Sequence, residues 1–428
     1  MLFNQTLTYI SLFSGAGVGC YGFLEEGFEC IATNETLEKR LNIQRINNKC
    51  KFDEGYICGD IKELEIKERI LKRIEFYSKN FGNDRIDLVV ATPPCQGMSV
   101  ANHKKKNDEI KRDSLVVESI DLIKQIKPRF FILENVPSFY KTGCIDKNDN
   151  LLEIGSMIEQ NLSGDYMLYD EVINFKNFGA NSSRTRTLVI GVCKEFKDFI
   201  SALEFFPDFK QEKTLKEVIG SLKPLTWGEY DSTDFYHSFR TYPKHMQEWI
   251  KDLKEGQSAF ENVQDAISDL AYLCSNEGAF ESDYLNPIQS SYQALMRKDS
   301  PKLYNHQATN HSQAALEKLK LINKEQGKEC LPKNLHGKQQ FKSTWGRLNW
   351  NKISPTINTR FDTPSNGTNS HPELHRSITP REAARIQSFS DNYIFYGNKT
   401  SVCKQIGNAV PPLLALALGK AILKSLRK

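Results

Sequence analysis

The chain has 428 residues, a formal net charge of +4, 39% hydrophobic and 26% charged residues, the profile of a globular protein with two domains as the default at this length. So slight a charge excludes a uniformly basic nucleic-acid coat and leaves room only for a local patch. The ten cysteines form no CxxC pair and do not group with the eight histidines as metal ligands would, so a reduced chain without a metal site is expected, and His306 and His311 read as hydrogen-bonding residues.

In chain order, residues 7–13 read as a strand, Ser14-Gly15-Ala16-Gly17-Val18-Gly19 as the turn after it, and a helix follows through Glu25 to a closing Gly27. Residues 28–34 form a second strand ending at Glu35, and residues 56–58 a third ending at Gly59-Asp60-Ile61. A helix over 62–80 precedes the apolar run 86–92, which stops at Pro93-Pro94-Cys95-Gln96-Gly97. Another helix, 114–127, closed by Pro128, precedes the run 130–133, which ends in Glu134-Asn135-Val136. Residues 169–175 and 187–192 add two strands, with Arg184 and Arg186 expected just ahead of the second. This alternation predicts an α/β fold built on a doubly wound, mostly parallel sheet.

From about Cys193 the pattern loosens, and residues 200–345 are polar, irregular and dotted with aromatics. Segments 214–222 and 262–270 are faintly alike, as two short helices would be. Order returns at Thr379-Pro380-Arg381-Glu382, with proline in the first turn of a helix running 383–389. Gln405-Ile406-Gly407-Asn408-Ala409-Val410-Pro411-Pro412 then precedes a final apolar helix. The N-terminus lacks a basic region leading into a sustained apolar stretch, and the apolar run 409–418 holds two prolines and is too short for a bilayer, so a cytoplasmic protein is expected.

Two short apolar runs bounded by turn residues read as buried parallel strands, and chemistry in such sheets collects at the carboxyl ends. The chain thereby delivers the Cys95 thiol and the Glu134 carboxyl to adjacent strand ends. A thiol is intrinsically nucleophilic near neutral pH, and a carboxyl in an apolar site can stay protonated and serve as an acid. Most cysteines are small buried hydrophobes, but two prolines before Cys95 stiffen its backbone as a fixed reactive loop requires. In the loop after the first strand, glycines let backbone approach a ligand closely. Glu35 lies 20 residues after Gly15, where a dinucleotide fold places its ribose-binding acid, although a structural glycine turn accounts for the loop equally well. The spacing departs from GxGxxG, which argues against a nicotinamide cofactor, while the FxGxG form, the acid ending strand two and Asp60-Ile61 ending strand three suit an adenosine-containing ligand such as S-adenosylmethionine.

These segments resemble the DNA (cytosine-5) methyltransferases of bacterial restriction–modification systems. FSGAG, PPCQG, ENV, RTR, TPREAARIQSF and QIGNAVPP stand in the family's order and span nearly the whole chain outside 200–340. The resemblance implies a Rossmann-like, S-adenosylmethionine-dependent methyltransferase fold. Its catalytic and cofactor-binding part would occupy 1–195, a smaller irregular target-recognition domain 196–370 (core 200–345), and 371–428 would complete the catalytic domain, with the last helix beside the first strand. The resemblance further implies that Phe13, Gly15, Gly17, Glu35, Asp60, Ile61, Pro94 and Asn408 bind the cofactor, Glu35 at the ribose hydroxyls and Asp60 at the adenine amino group. Cys95 would be the nucleophile and Glu134 the acid on the cytosine ring, with Arg184 and Arg186 beside the flipped base. Double-stranded DNA would be the partner of a monomeric enzyme working with a cognate restriction endonuclease of the same site.

The chain departs from the family pattern in three places. Ser182-Ser183 replaces the usual Gln-Asn before Arg184, Val18 replaces a second consecutive glycine, and the loop 99–113 carries Lys104-Lys105-Lys106 where glycines are usual. Those lysines read either as a solvated loop or as a loop that closes over DNA and meets phosphates. Three other functions stay open at this stage: a tRNA cytosine-5 methyltransferase, a catalytically silent DNA-binding relative, and, more distantly, a hydride-transferring dinucleotide enzyme.

Overall fold

The computed structural model describes residues 6–94, 115–196, 230–231, 234–238, 262–271, 273, 277–336 and 343–426. Cys95, the three loop lysines and the helix expected at 214–222 lie outside the described residues. Backbone contacts divide the chain into one unit of Met1–Pro207, Thr356–Arg360 and Tyr393–Lys428, and another of Asp208–Pro355 and Phe361–Asn392.

The first unit is built on strands β1 (Thr8–Leu12), β2 (Glu29–Glu35), β3 (Tyr56–Cys58), β4 (Leu88–Ala91), β5 (Phe130–Asn135), β8 (Tyr166–Asn174) and β9 (Thr185–Cys193), in the order β3-β2-β1-β4-β5-β9-β8. A small antiparallel hairpin, β6 (Gly143–Ile145) and β7 (Leu151–Glu153), stands apart from it. The first five strands are mutually parallel, and β9 runs antiparallel to both of its neighbours. Continuous apolar runs suit such strands because both faces are covered. Ile10, Leu12, Val89, Ala91, Phe131 and Leu133 face one core, while Tyr9, Leu88, Val90, Phe130 and Ile132 face the other. Helices α3 (Leu64–Phe81), α4 (Leu115–Ile126) and α5 (Ile154–Leu162) supply the first core, and α1 (Tyr21–Glu25), α2 (Glu38–Ile46) and the closing helix α7 (Pro412–Leu426) the second. Arg186 lies inside β9 rather than ahead of it.

The last helix packs chiefly on α1 and shares the second core with Tyr9 of β1. At the crossing there is no room for a side chain: a Cβ on Gly22 would stand 2.1 Å from the Pro412 carbonyl oxygen and 2.4 Å from the Leu416 nitrogen. The span Lys399–Leu426 holds an 18-residue window of mean hydropathy 1.6, long and apolar enough to cross a membrane by those measures alone. It is two helices, α6 (Lys399–Gly407) and α7, and Leu414, Leu418 and Ile422 are buried in the second core.

The second unit keeps residues 361–392, so the chain returns for good at Tyr393, not at 371. Buried ion pairs explain why. Arg376 makes a bidentate pair with Glu382 at 2.7 Å on both arms. Arg385 donates to Asp391 at 3.0 and 2.6 Å and also pairs with Asp269. The Pro380–Ile386 helix is opened by a capping box between Thr379 and Glu382. His306 is buried between Thr379 Oγ1 (3.0 Å) and the Ala271 carbonyl (2.9 Å), and His311 accepts from the Ser377 amide at 3.0 Å. Among the described residues no group of histidine, cysteine and carboxylate side chains is placed to hold a metal.

Burial alone would raise the Glu382 and Asp391 carboxyls, but Arg376 in the first case and Arg385 with Arg381 in the second outweigh it and hold both below the ordinary carboxylate range. Depressed values mean stability that is present above the unfolded pKa and lost as pH falls through the folded one. Glu382→Gln is expected to lower the unfolding free energy by about 3–5 kcal/mol, as for breaking one partner out of a buried pair. Its stability should also decline less steeply than wild type below about pH 4. Chemical denaturation across pH checks both, and a change under about 1 kcal/mol would place this pair outside the essential core.

Candidate active site

The connections after β1 lead to β2 and β3 on one side of the sheet, whereas β4 and β5 lie on the other, so a crevice opens at the carboxyl ends of β1 and β4. Leu12, Ala91 and Leu133 stand abreast in register, which makes Phe13, Thr92 and Glu134 the next rank at the rim. A cavity of about 1170 Å³ occupies this place, lined among others by Phe13, Gly15, Glu35, Asp60, Ile61, Pro94, Glu134, Arg184, Arg186 and Asn408.

The glycine loop is held in a strained shape. Phe13 has φ 54°, Gly15 55° and Gly17 85°, a region costly for a side chain such as that of Phe13. Gly15 faces open space where a Cβ would stand, and its amide donates to Glu35 Oε2 at 2.9 Å. Glu35 Oε1 accepts from Thr36 Oγ1 (3.1 Å), the Leu37 amide (3.2 Å) and Arg40 Nη1 (3.1 Å). Gly17 does not line the cavity; its place is structural, since a Cβ there would lie 2.6 Å from Gln44 Cγ. Gln44, which no motif in the sequence marks, donates to Ser14 Oγ and to the Gly15 carbonyl at 2.8 Å each. The returning chain also grips the loop, through Tyr393 Oη donating to the Ala16 carbonyl at 2.6 Å. Asp60 accepts from the Lys62 amide at 3.0 Å and is exposed, while Ile61 is buried.

On the other side, Asn135 of the Glu134-Asn135-Val136 motif is a brace. Its Nδ2 donates to the Pro93 carbonyl at 2.9 Å, and its Oδ1 accepts from the Val136 amide at 2.9 Å. The end of β5 thus holds Pro93-Pro94, the two residues before Cys95. Glu134 has a side chain only 12% exposed, with Arg186 Nε at 3.1 Å from its Oε1. Burial pushes the Glu134 carboxyl up, Arg186 and Arg184 pull against it, and the balance lies above its ordinary value. Arg184 is buried and donates to the Gly407 carbonyl at 2.5 Å and the Ile357 carbonyl at 3.4 Å. It therefore ties the chain leading into β9 to the residue before Asn408. Ser182 at the family departure is fully buried, and the Ser183 carbonyl accepts from Asn174 Nδ2 at 3.3 Å.

The sequence profile of the C-5 cytosine-specific DNA methylases matches residues 7–424. Type II methyltransferase M.DdeI of Desulfomicrobium norvegicum is 28% identical over 97% of this chain and 88% of its own length. Type II methyltransferase M1.HphI of Haemophilus parahaemolyticus is 25% identical over 99% of this chain and 88% of its own. Among solved structures, a candidate DNA modification methyltransferase encoded within an E. coli prophage superposes with a TM-score of 0.66 at 21% identity, covering 99% of this chain and all (100%) of the other. The S. pombe Dnmt2 methyltransferase does so with a TM-score of 0.50 at 13% identity, covering 99% and 100%. The sheet and its helices are thus a Rossmann-like methyltransferase fold, and the chain belongs to the C-5 cytosine-specific DNA methylase family.

Proposed function

We propose that this protein transfers a methyl group from S-adenosylmethionine to C5 of a cytosine at a defined site in double-stranded DNA. It would do so as a monomer in the bacterial cytoplasm, within a restriction–modification system whose endonuclease cuts the same site. The observation that carries the reading is one cavity in which Glu134 and the residue before Cys95 meet a glycine loop braced by Glu35. Relatives named as type II methyltransferases along almost the whole chain support the setting.

The cavity fits the cofactor: Gly15 leaves open the space a side chain would fill, and Glu35 presents carboxylate oxygens at the end of β2. Phe13, Gly15, Glu35, Asp60, Ile61, Pro94 and Asn408 would hold it, with Gly17 acting through the shape of the loop. When bound, S-adenosylmethionine supplies a methyl group on a sulfonium, open to attack by carbon.

C5 of cytosine is too weak a nucleophile until the ring's aromaticity is interrupted. The Cys95 thiolate adds to C6, the electrons of the 5,6 double bond shift toward N3, and C5 becomes enamine-like. Glu134, whose carboxyl burial raises above its ordinary value, donates a proton at N3 as that charge develops. Once C5 carries the methyl group, loss of the C5 proton to a base, departure of the Cys95 sulfur and return of the N3 proton to Glu134 restore the ring. A stacked base cannot be reached this way, so the cytosine must leave the duplex. Arg186 orients Glu134 and limits how far its pKa rises, and Arg184 positions the Asn408 segment. The second unit would carry target recognition, because base contacts specify while phosphate contacts position.

Cys95→Ser should abolish methyl transfer, because a hydroxyl is far less ionised than a thiol. Wild type should trap 5-fluorocytosine DNA as a denaturation-resistant adduct, since fluorine cannot leave as a proton does. Release of fluorinated DNA without adduct would sink the covalent mechanism.

Glu134→Gln should slow single-turnover transfer by about two to four orders of magnitude, the usual range for a lost general acid. Arg186 favours the charged carboxylate, so Arg186→Ala should raise the Glu134 pKa and move the alkaline limb of the pH–rate profile to higher pH. A limb that stays put would mean that a different group titrates there.

Exchanging residues 200–345 for the matching segment of a relative with another specificity should redirect methylation to the donor's site, with cofactor affinity unchanged. Bisulfite sequencing of DNA from expressing cells reads this directly, and unaltered site choice in an active chimera counts against a recognition role for the segment.

A further inference from the structure

Beneath the glycine loop lies a chain of buried polar groups that the reaction itself does not use. Lys49, Thr33 and Gln44 are all essentially inaccessible to solvent. Lys49 Nζ donates to Thr33 Oγ1 at 3.2 Å and to Ser11 Oγ at 3.0 Å. Thr33 Oγ1 donates to Gln44 Oε1 at 2.7 Å. Gln44 Nε2 then donates to Ser14 Oγ and to the Gly15 carbonyl, and Ser14 Oγ donates to the Asn34 carbonyl at 3.0 Å.

The direction of this chain is forced at both ends. An ammonium can only donate and a backbone carbonyl can only accept. With Lys49 at one end and Gly15 at the other, the Thr33 hydroxyl must donate to Gln44 Oε1. The amide must in turn present its nitrogen to the loop. Gly17 closes on the same side chain, which occupies the space its Cβ would need. A buried chain with every member satisfied is stiff, because any other rotamer strands a polar group away from water.

We infer that Gln44, held by Thr33 and Lys49, is a positioning residue that keeps the Ser14–Gly17 turn in its cofactor-receiving shape and thereby sets affinity for S-adenosylmethionine. The inference rests on the reading that this cavity takes that cofactor. Gln44 does not touch the reacting atoms; it acts through the Gly15 carbonyl and the Ser14 hydroxyl. Its contribution is therefore to ground-state binding of the cofactor, not to the methyl-transfer step.

The test measures S-adenosylmethionine binding by calorimetry, together with KM and kcat on duplex DNA. It compares wild type, Gln44→Leu, Thr33→Val and Thr33→Ser. Gln44→Leu keeps the bulk against Gly17 but removes both donors, and should weaken cofactor binding and raise its KM roughly ten- to hundredfold, as losing buried hydrogen bonds implies. At saturating cofactor, kcat should stay within about threefold, the pattern of lost uniform binding. Thr33→Val, matched in shape without the hydroxyl, should move KM in the same direction, and Thr33→Ser should restore it. If Gln44→Leu does not fold, Thr33→Val against Thr33→Ser decides the matter. Folded variants that bind the cofactor as wild type does, or that lose kcat with KM unmoved, overturn the positioning role while leaving the proposed function standing. Failure of wild type to bind S-adenosylmethionine would overturn both.

Discussion

The crossovers that follow β1 run to one side of the sheet and those that follow β4 run to the other, so no connecting chain can fill the space above the carboxyl ends of these two strands. Every feature of the site is a consequence of that vacancy. Backbone at this rim comes from the turn after β1, the Glu134 and Arg186 side chains from the ends of β5 and β9, and each must be held where no packed core supports it. The turn is held by Glu35 and Gln44, the end of β4 by Asn135, and Glu134 by Arg186. Small groups with fixed donor or acceptor roles perform this work, because a rim exposed to ligand cannot be stabilised by apolar burial.

Charge is used in two distinct ways. In the second unit, arginines and carboxylates are buried together with nearly ideal bidentate geometry, and the carboxyls sit below their ordinary range. Such pairs define one arrangement more than they add stability, since desolvation offsets most of the attraction. At Glu134 the balance is reversed. Desolvation exceeds the attraction of Arg186 and Arg184, so the carboxyl is left inclined to keep its proton. The same side-chain chemistry thus holds carboxyls below their ordinary range in one place and leaves one above it in the other, and the difference lies in how squarely the guanidinium meets the carboxylate.

The ends of the chain meet in the first unit. Gly22 admits the Pro412 turn, Tyr393 reaches the Ala16 carbonyl, and Arg184 binds the Gly407 carbonyl. These contacts join residues more than two hundred positions apart, so their formation must meet a large loop-closure entropy. Long-range closure also explains why residues 361–392 belong elsewhere: their buried arginines find partners such as Asp269 only within the second unit.

The sequence alone determined the doubly wound sheet, because a buried parallel strand must be apolar on both faces and its helices must alternate with it. It also placed Glu35, Asp60, Glu134 and Pro94 at strand ends, since period and turn residues mark where a strand stops, and its ordered motifs identified the family. It did not show α2 or α5. In α2 the burial of Leu41, Ile43 and Gln44 among charged residues makes too weak a stripe to stand out, and the only hint of Gln44 was a polar side chain on that stripe. Nor could it show that Arg184 serves the Gly407 carbonyl, that Gly17 serves Gln44, or that Asn135 braces Pro93. Local periodicity specifies which face a residue takes, whereas hydrogen-bond partners are set by which distant strands and turns the crossovers bring abreast, and only the tertiary structure decides that.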